Sequence, residues 1–172
     1  MRRLFVLMLI LAFILCGCSQ GSNSMDAPAV EKGRYSFYYL QKDYIHSADR
    51  SVYNIEKRTM EGDLNTVLRE YFLGPKGEDS VSPFPDGTQL QSSILEGASL
   101  KVDLGNDFSA LTGIELSIAC CALAETCFSC SPASEVQVYA GNALLDGQQY
   151  ISVRRGATML TDDINKEVSS PK

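Results

Sequence analysis

Leu4 to Leu15 is an unbroken apolar run of twelve residues, and it leads straight into Cys16-Gly17-Cys18. A helix needs about 20 apolar residues to cross a bilayer, so this run is too short to span one alone. With Arg2 and Arg3 in front of it, it has the length and flank of a secretory leader. Leu15-Cys16-Gly17-Cys18 looks like a lipobox: an aliphatic residue, a tolerant position, a small residue, then the thiol that accepts a diacylglyceryl group. Cleavage before Cys16 would put Leu15 where a small residue is needed, so Cys18 is the expected attachment site. Residues 1–17 are then a leader outside the fold. The mature chain is held by acyl chains such as palmitate at the extracytoplasmic face of the cell membrane, and more than one chain makes such an anchor stable.

The next stretch, residues 18–33, is rich in Ser, Gly, Asn and Pro and shows no apolar period. It reads as a flexible tether with a reach of about 20 Å. Residues 161–172 read as a polar tail. That leaves 34–160 as a single domain, long enough for one hydrophobic core. Of the whole chain, 45% is hydrophobic and 21% charged, which excludes a disordered chain. The net charge of -6 makes nucleic acid a poor partner. One His, six Cys and no Trp leave little material for a metal centre or a His-based hydrolase, and no cofactor is called for.

Within the domain, Arg34 to Leu40 is aromatic-rich and reads as a strand, and Ser51 to Met60 as a weaker one. Leu64, Val67, Leu68, Tyr71 and Phe72 fall at helical spacing. Asp63 or Gly62 can open that helix, and Gly74-Pro75 stops it. After a loop containing Pro83, Pro85 and Asp86-Gly87, Gln89 to Leu95 and Ala98 to Leu104 read as strands. The second alternates cleanly, with Leu100, Val102 and Leu104 on one face. A second helix runs from Thr112 to about Phe128, and Thr112 and Glu115 have capping-box spacing. Glu135 to Tyr139 and Gln149 to Val153 complete the set. The expected fold is α+β, ordered β-β-α-β-β-α-β, a two-layer sandwich of one mixed sheet with both helices on one face.

These residues together resemble the GerMN domain, the module of sporulation and spore-germination lipoproteins of the GerM type. The resemblance rests on Phe72-Leu73-Gly74-Pro75, on Ser82-Pro83-Phe84-Pro85-Asp86-Gly87-Thr88, on Val102-Asp103-Leu104 and on Val136-Gln137-Val138, behind a lipobox. It covers about Tyr35 to Asp163. It implies a non-catalytic module that helps envelope or sporulation-complex proteins assemble. The well-known family member carries two copies of the module, and this chain has room for one.

The second helix carries the sharpest chemistry. Leu116, Cys120, Leu123, Cys127 and Cys130 share one stripe at about 100° per residue, and Ile114, Ile118, Cys121 and Phe128 share another. The polar face is reduced to Glu115, Glu125 and Thr126, so this helix is expected to be buried or covered by a partner. Its thiols have three readings. They are small core residues, or Cys127 and Cys130 form a disulfide, or that CxxC pair makes an envelope thiol–disulfide protein. A thiolate gains most at a helix N-terminus, and this pair sits at the other end. His46 reads as a solvated loop residue. Arg154-Arg155 reads as surface charge or an anion site. Tyr35, Phe37, Tyr38 and Tyr39 read as packing residues, or as a stacking platform for a small ligand or cell-wall sugar.

Overall fold

The computed structural model describes residues 32–42 and 52–157. The leader, Cys18, the tether up to residue 31, His46 and the polar tail lie outside the described residues, and the tether's expected last residue, Gly33, opens the first strand. The first strand, β1 (Gly33–Gln41), pairs along its length with β2 (Tyr53–Met60) in antiparallel fashion, Gly33 opposite Met60 and Leu40 opposite Tyr53. Its odd residues, Tyr35, Phe37 and Tyr39, point into the core. Helix α1 (Leu64–Phe72) follows, capped at Asp63, whose carboxylate accepts from the Thr66 amide at 2.8 Å. Tyr71 packs its ring against both Phe37 and Tyr39, with centroids 5.8 and 5.0 Å away, so the periodic face of α1 seals the aromatic face of β1.

A two-residue strand, β3 (Ser80–Val81), then pairs with Leu40 and Gln41 at the end of β1. Pro85 to Thr88 close a turn, the Thr88 amide donating to the Pro85 carbonyl at 3.2 Å, and the chain enters β4 (Leu90–Glu96) and β5 (Ser99–Leu104). A short 3-10 helix (Asn106–Ala110) and the long helix α2 (Gly113–Cys130) carry the chain over to β6 (Glu135–Ala140), which lies parallel to β5. Antiparallel β7 (Ile151–Arg154) is the last strand among the described residues. The clean alternation of β5 holds: Leu100, Val102 and Leu104 are fully buried. Parallel strands cannot be joined by a tight turn, which is why α2 stands between β5 and β6.

The α+β class holds, but the strands divide between two sheets instead of forming one. One has the order β2-β1-β3, the other β4-β5-β6-β7, and only the second is mixed. The cause is local. The edge of β1 away from β2 is taken by side chains of α2, so no long strand can add there. Both sheets nevertheless feed one core, which joins Phe37, Tyr39 and Tyr71 to Val102, Leu123 and Val136. The expected capping box is also absent. Thr112 makes no side-chain cap bond. Gly113 sits at φ +55°, a left-handed conformation, and its amide donates to the Asp146 carboxylate at 2.9 Å. A carboxylate from the β6–β7 loop thus serves the helix start where Glu115 was expected to.

Candidate functional site

Helix α2 is the element to which most of the sequence's unusual residues belong. The first stripe is fully internal: Leu116, Cys120, Leu123, Cys127 and Cys130 are all buried. The second stripe is graded. Phe128 is buried, Ile118 and Cys121 are half-buried, and Ile114 is 78% exposed. The helix is long and apolar enough to cross a membrane by length and composition, and here both sheets cover it instead.

Its few polar residues have a defined task. The hydroxyl of Thr126, fully buried, accepts from the Tyr38 amide at 3.0 Å. The hydroxyl of Ser129 accepts from the Ser36 amide at 3.1 Å and also lies 2.9 Å from the Ser36 carbonyl. Two hydroxyls three residues apart on α2 therefore stand in for a neighbouring strand along β1. Exposed backbone donors on an edge strand are templates for association, and a covering helix is one way to blunt them. The Tyr71 hydroxyl donates to the Tyr38 carbonyl, completing the cover.

The thiols are buried, except Cys121, which is half-buried. All four described cysteines are free. The Cys130 thiol lies 3.4 Å from the Cys127 carbonyl, a back-bond within the helix, where one expectation was a bridge between the two. Burial pushes Cys120 and Cys130 up to about 12, and burial with the neighbouring Cys130 thiol pushes Cys127 well up. Burial and the Glu125 carboxylate raise Cys121. Groups of His, Cys, Asp and Glu able to hold a metal ion are absent among the described residues.

Arg155, read as surface charge or an anion site, is exposed and also has a structural task. Its guanidinium donates to the carbonyls of Phe128, Ser131 and Ala133 at 3.2, 3.0 and 2.7 Å and lies over the Phe128 ring. It closes the end of α2, where carbonyls lack helical partners and a cation is favoured. The aromatic first strand is not a stacking platform: Tyr35, Phe37 and Tyr39 are buried, and Tyr38 is half-buried with its ring edge-on to Tyr53.

Sequence reasoning passed over Arg58. Its side chain is 10% exposed, lies over Phe37 and Tyr39, and pairs with Glu56 at 2.6 Å and Glu70 at 3.3 Å. Burial alone would raise the Glu56 carboxyl. Hydrogen bonds from Arg58 and from the Gly77 and Lys76 amides outweigh it and hold Glu56 below its ordinary value. An Arg flanked by polar residues on a weak strand gives no sign of being enclosed, so only the fold finds it.

Among the described residues, open clefts flank these elements. One of about 380 Å³ lies between Pro83–Pro85 and the start of α2, lined by Leu40, Leu111 and Ile118. One of about 490 Å³ lies between the end of α1 and Gly87–Leu90. The third, about 500 Å³, lies between α2 and β7, lined by Ser117, Cys120, Cys121, Ile151, Val153 and Ala157.

No protein-family model matches the chain, and no curated protein matches it. Solved structures do. Tandem GerMN domains of the sporulation protein GerM from Bacillus subtilis superpose with a TM-score of 0.55 at 14% identity, over 75% of this chain and 48% of that one. The chain has a GerMN-like fold. It spans about half the length of that tandem structure. A Clostridium perfringens protein provisionally described as a lipoprotein, solved at 2.5 Å, is similar at 13% identity and a TM-score of 0.45, over 77% of this chain and 93% of that one. The GerMN-like fold places the Phe72–Pro75 segment at the end of α1 and Pro85–Thr88 at the turn into β4.

Proposed function

We propose that this chain is a membrane-anchored extracytoplasmic lipoprotein and a non-catalytic GerMN-type interaction module. It acts in sporulation or spore germination by supporting assembly of an envelope protein complex. The observation that carries the reading is the GerMN-like fold, shared with the domains of a sporulation protein, set behind the Leu15-Cys16-Gly17-Cys18 lipobox. The buried thiols, pushed up to about 12 at Cys120 and Cys130, support a binding role over thiol–disulfide chemistry, because the thiolate is the reactive form. The Cys18 lipid holds the module at the membrane and its partners are other envelope or sporulation proteins.

The test is a chromosomal Cys18→Ala substitution in the native organism. The protein should leave the membrane fraction, and heat-resistant spore yield or germination should fall toward that of a deletion strain. Membrane retention would overturn the anchor. A deletion strain that sporulates and germinates normally would overturn the sporulation role.

A further inference from the structure

The stacking surface looked for on β1 has a counterpart on the second sheet. One face of that sheet, with Leu100, Val102, Val136 and Val138, belongs to the core. On the other face, strand pairing sets the alternate side chains in rows. One row ends in Tyr139 and Tyr150, whose rings lie 5.2 Å apart and 34° from parallel. Tyr150 is 39% exposed. Gln137 stands opposite Ser152 in the next row, and Glu135 opposite Arg154 in the one after. These rows are tied together. The Tyr139 hydroxyl donates to the Gln137 amide oxygen at 3.2 Å, and the Gln137 amide nitrogen to the Glu135 carboxylate at 3.4 Å. The Ser99 hydroxyl donates to that carboxylate at 2.7 Å, and the Ser152 hydroxyl does so too. Polar groups held in place in advance lower the ordering cost of binding. Gln137 still keeps a second N–H and a second lone pair for a ligand.

We propose that this outer face binds an uncharged glycan of flat, β-linked sugar rings. The tyrosine pair offers apolar ring surface for the C–H faces of the sugars, with hydroxyls that stay wet. The tied rows beside it present donors and acceptors together, which suits hydroxyl and acetamido groups, themselves both. Charge narrows the choice. Glu96, Asp103 and Glu135 share this face with Lys101 and Arg154, three negative groups against two positive, so an anionic polymer gains nothing here. A peptide strand cannot pair on this face either, because strand backbones direct their amides within the plane of the sheet. The glycan site goes beyond the assembly role, and the two fail separately. Sugar binding needs no membrane, and a face inert to sugar leaves the anchored module standing.

An NMR titration of the full lipidated chain in detergent tests this, with chitopentaose, a β-1,4-linked N-acetylglucosamine oligomer, as the probe. Saturable shifts are expected at the amides around Gln137, Tyr139 and Tyr150. Tyr150→Ala should weaken binding by about tenfold, and Tyr150→Phe, which keeps the ring, should retain most of it. Gln137→Ala leaves both rings in place and should weaken binding by about threefold or more, so the test stands even if Tyr150→Ala fails to fold. The inference is overturned by the absence of saturable shifts up to about 5 mM sugar, by shifts confined to the clefts beside α2, or by full affinity in the alanine variants.

Discussion

Two strand edges flank α2, and the helix treats them differently. Along β1, Thr126 and Ser129 supply hydroxyls to the Tyr38 and Ser36 amides. Along β7, Ser117, Cys120 and Cys121 face a cleft, and the outward amides of Ser152 and Arg154 have no helix hydroxyl on them. The helical positions explain the split. At about 100° per residue, residues 126 and 129 lie on roughly the opposite side of the cylinder from 117 and 121. One helix thus hydrogen-bonds to the edge of one sheet and leaves a cleft against the edge of the other. A few hydroxyls decide which edge the helix covers.

The largest expected effect comes from the β7 side. Arg155→Ala removes the group that closes the α2 carbonyls and pins the turn after β7. Hydrogen bonds to a charged group are worth about 1.5–3 kcal/mol each when protected, and this guanidinium is partly wet, so a loss of about 2–3 kcal/mol in urea unfolding is expected. A loss below about 0.5 kcal/mol would mean the contacts hold nothing, the level of an ordinary surface substitution.

Next comes Thr126→Val, which keeps the volume and deletes the hydroxyl. It orphans a buried amide, at a cost of about 1–3 kcal/mol, and turns the covered edge into an open one. Light scattering of the variant should show self-association that the wild type lacks at equal concentration. Ser129→Ala, at an exposed position, should cost less, about 0.5–1.5 kcal/mol. If Ser129→Ala proves the costlier of the two, the cover depends on the exposed bond and the comparison fails.

The smallest effect is a pH dependence shared by both sides. Burial holds Cys120, Cys127 and Cys130 above the ordinary thiol value of 9.0. Above pH 9 the unfolded chain therefore sheds thiol protons that the folded chain keeps, and stability falls as pH rises toward 12. Glu56 has the opposite sign. Held below 4.5, it stabilises the fold above that pH, and the contribution is lost as pH falls through its folded value. Denaturant midpoints at pH 7, 9 and 10.5 should decline over the last step, and less so in Cys127→Ala. A midpoint flat to pH 10.5 would mean the thiols ionise freely.

The sequence made some of this legible and not the rest, for physical reasons. Leu100, Val102 and Leu104 announced β5 because alternation is a local property of a half-buried strand. The cysteine stripe was legible because 3.6-residue periodicity needs only the helix itself. The two-sheet division was not, since it depends on which strand edge meets which helix side chain, a contact between residues 88 and 93 positions apart. Its trace lay in Thr126 and Ser129, two hydroxyls three residues apart on a mainly apolar helix. The two-residue β3 is too short to carry a period. The Thr112–Glu115 box failed because a distant carboxylate, Asp146, reached the helix start. In the candidate site, burial of Cys120, Cys127 and Cys130 followed from the pattern, whereas the roles of Arg155 and Arg58 depend on carbonyls and carboxylates brought in from other elements.

The central claim is that this is an anchored module whose work is association with other envelope proteins. Crosslinking the tagged, lipidated protein in its own membranes, followed by affinity capture and mass spectrometry, tests it most directly. The account predicts recovery of one defined set of envelope or sporulation proteins, depleted when Cys18→Ala releases the module from the membrane. Recovery indistinguishable from an unrelated lipoprotein control would contradict it.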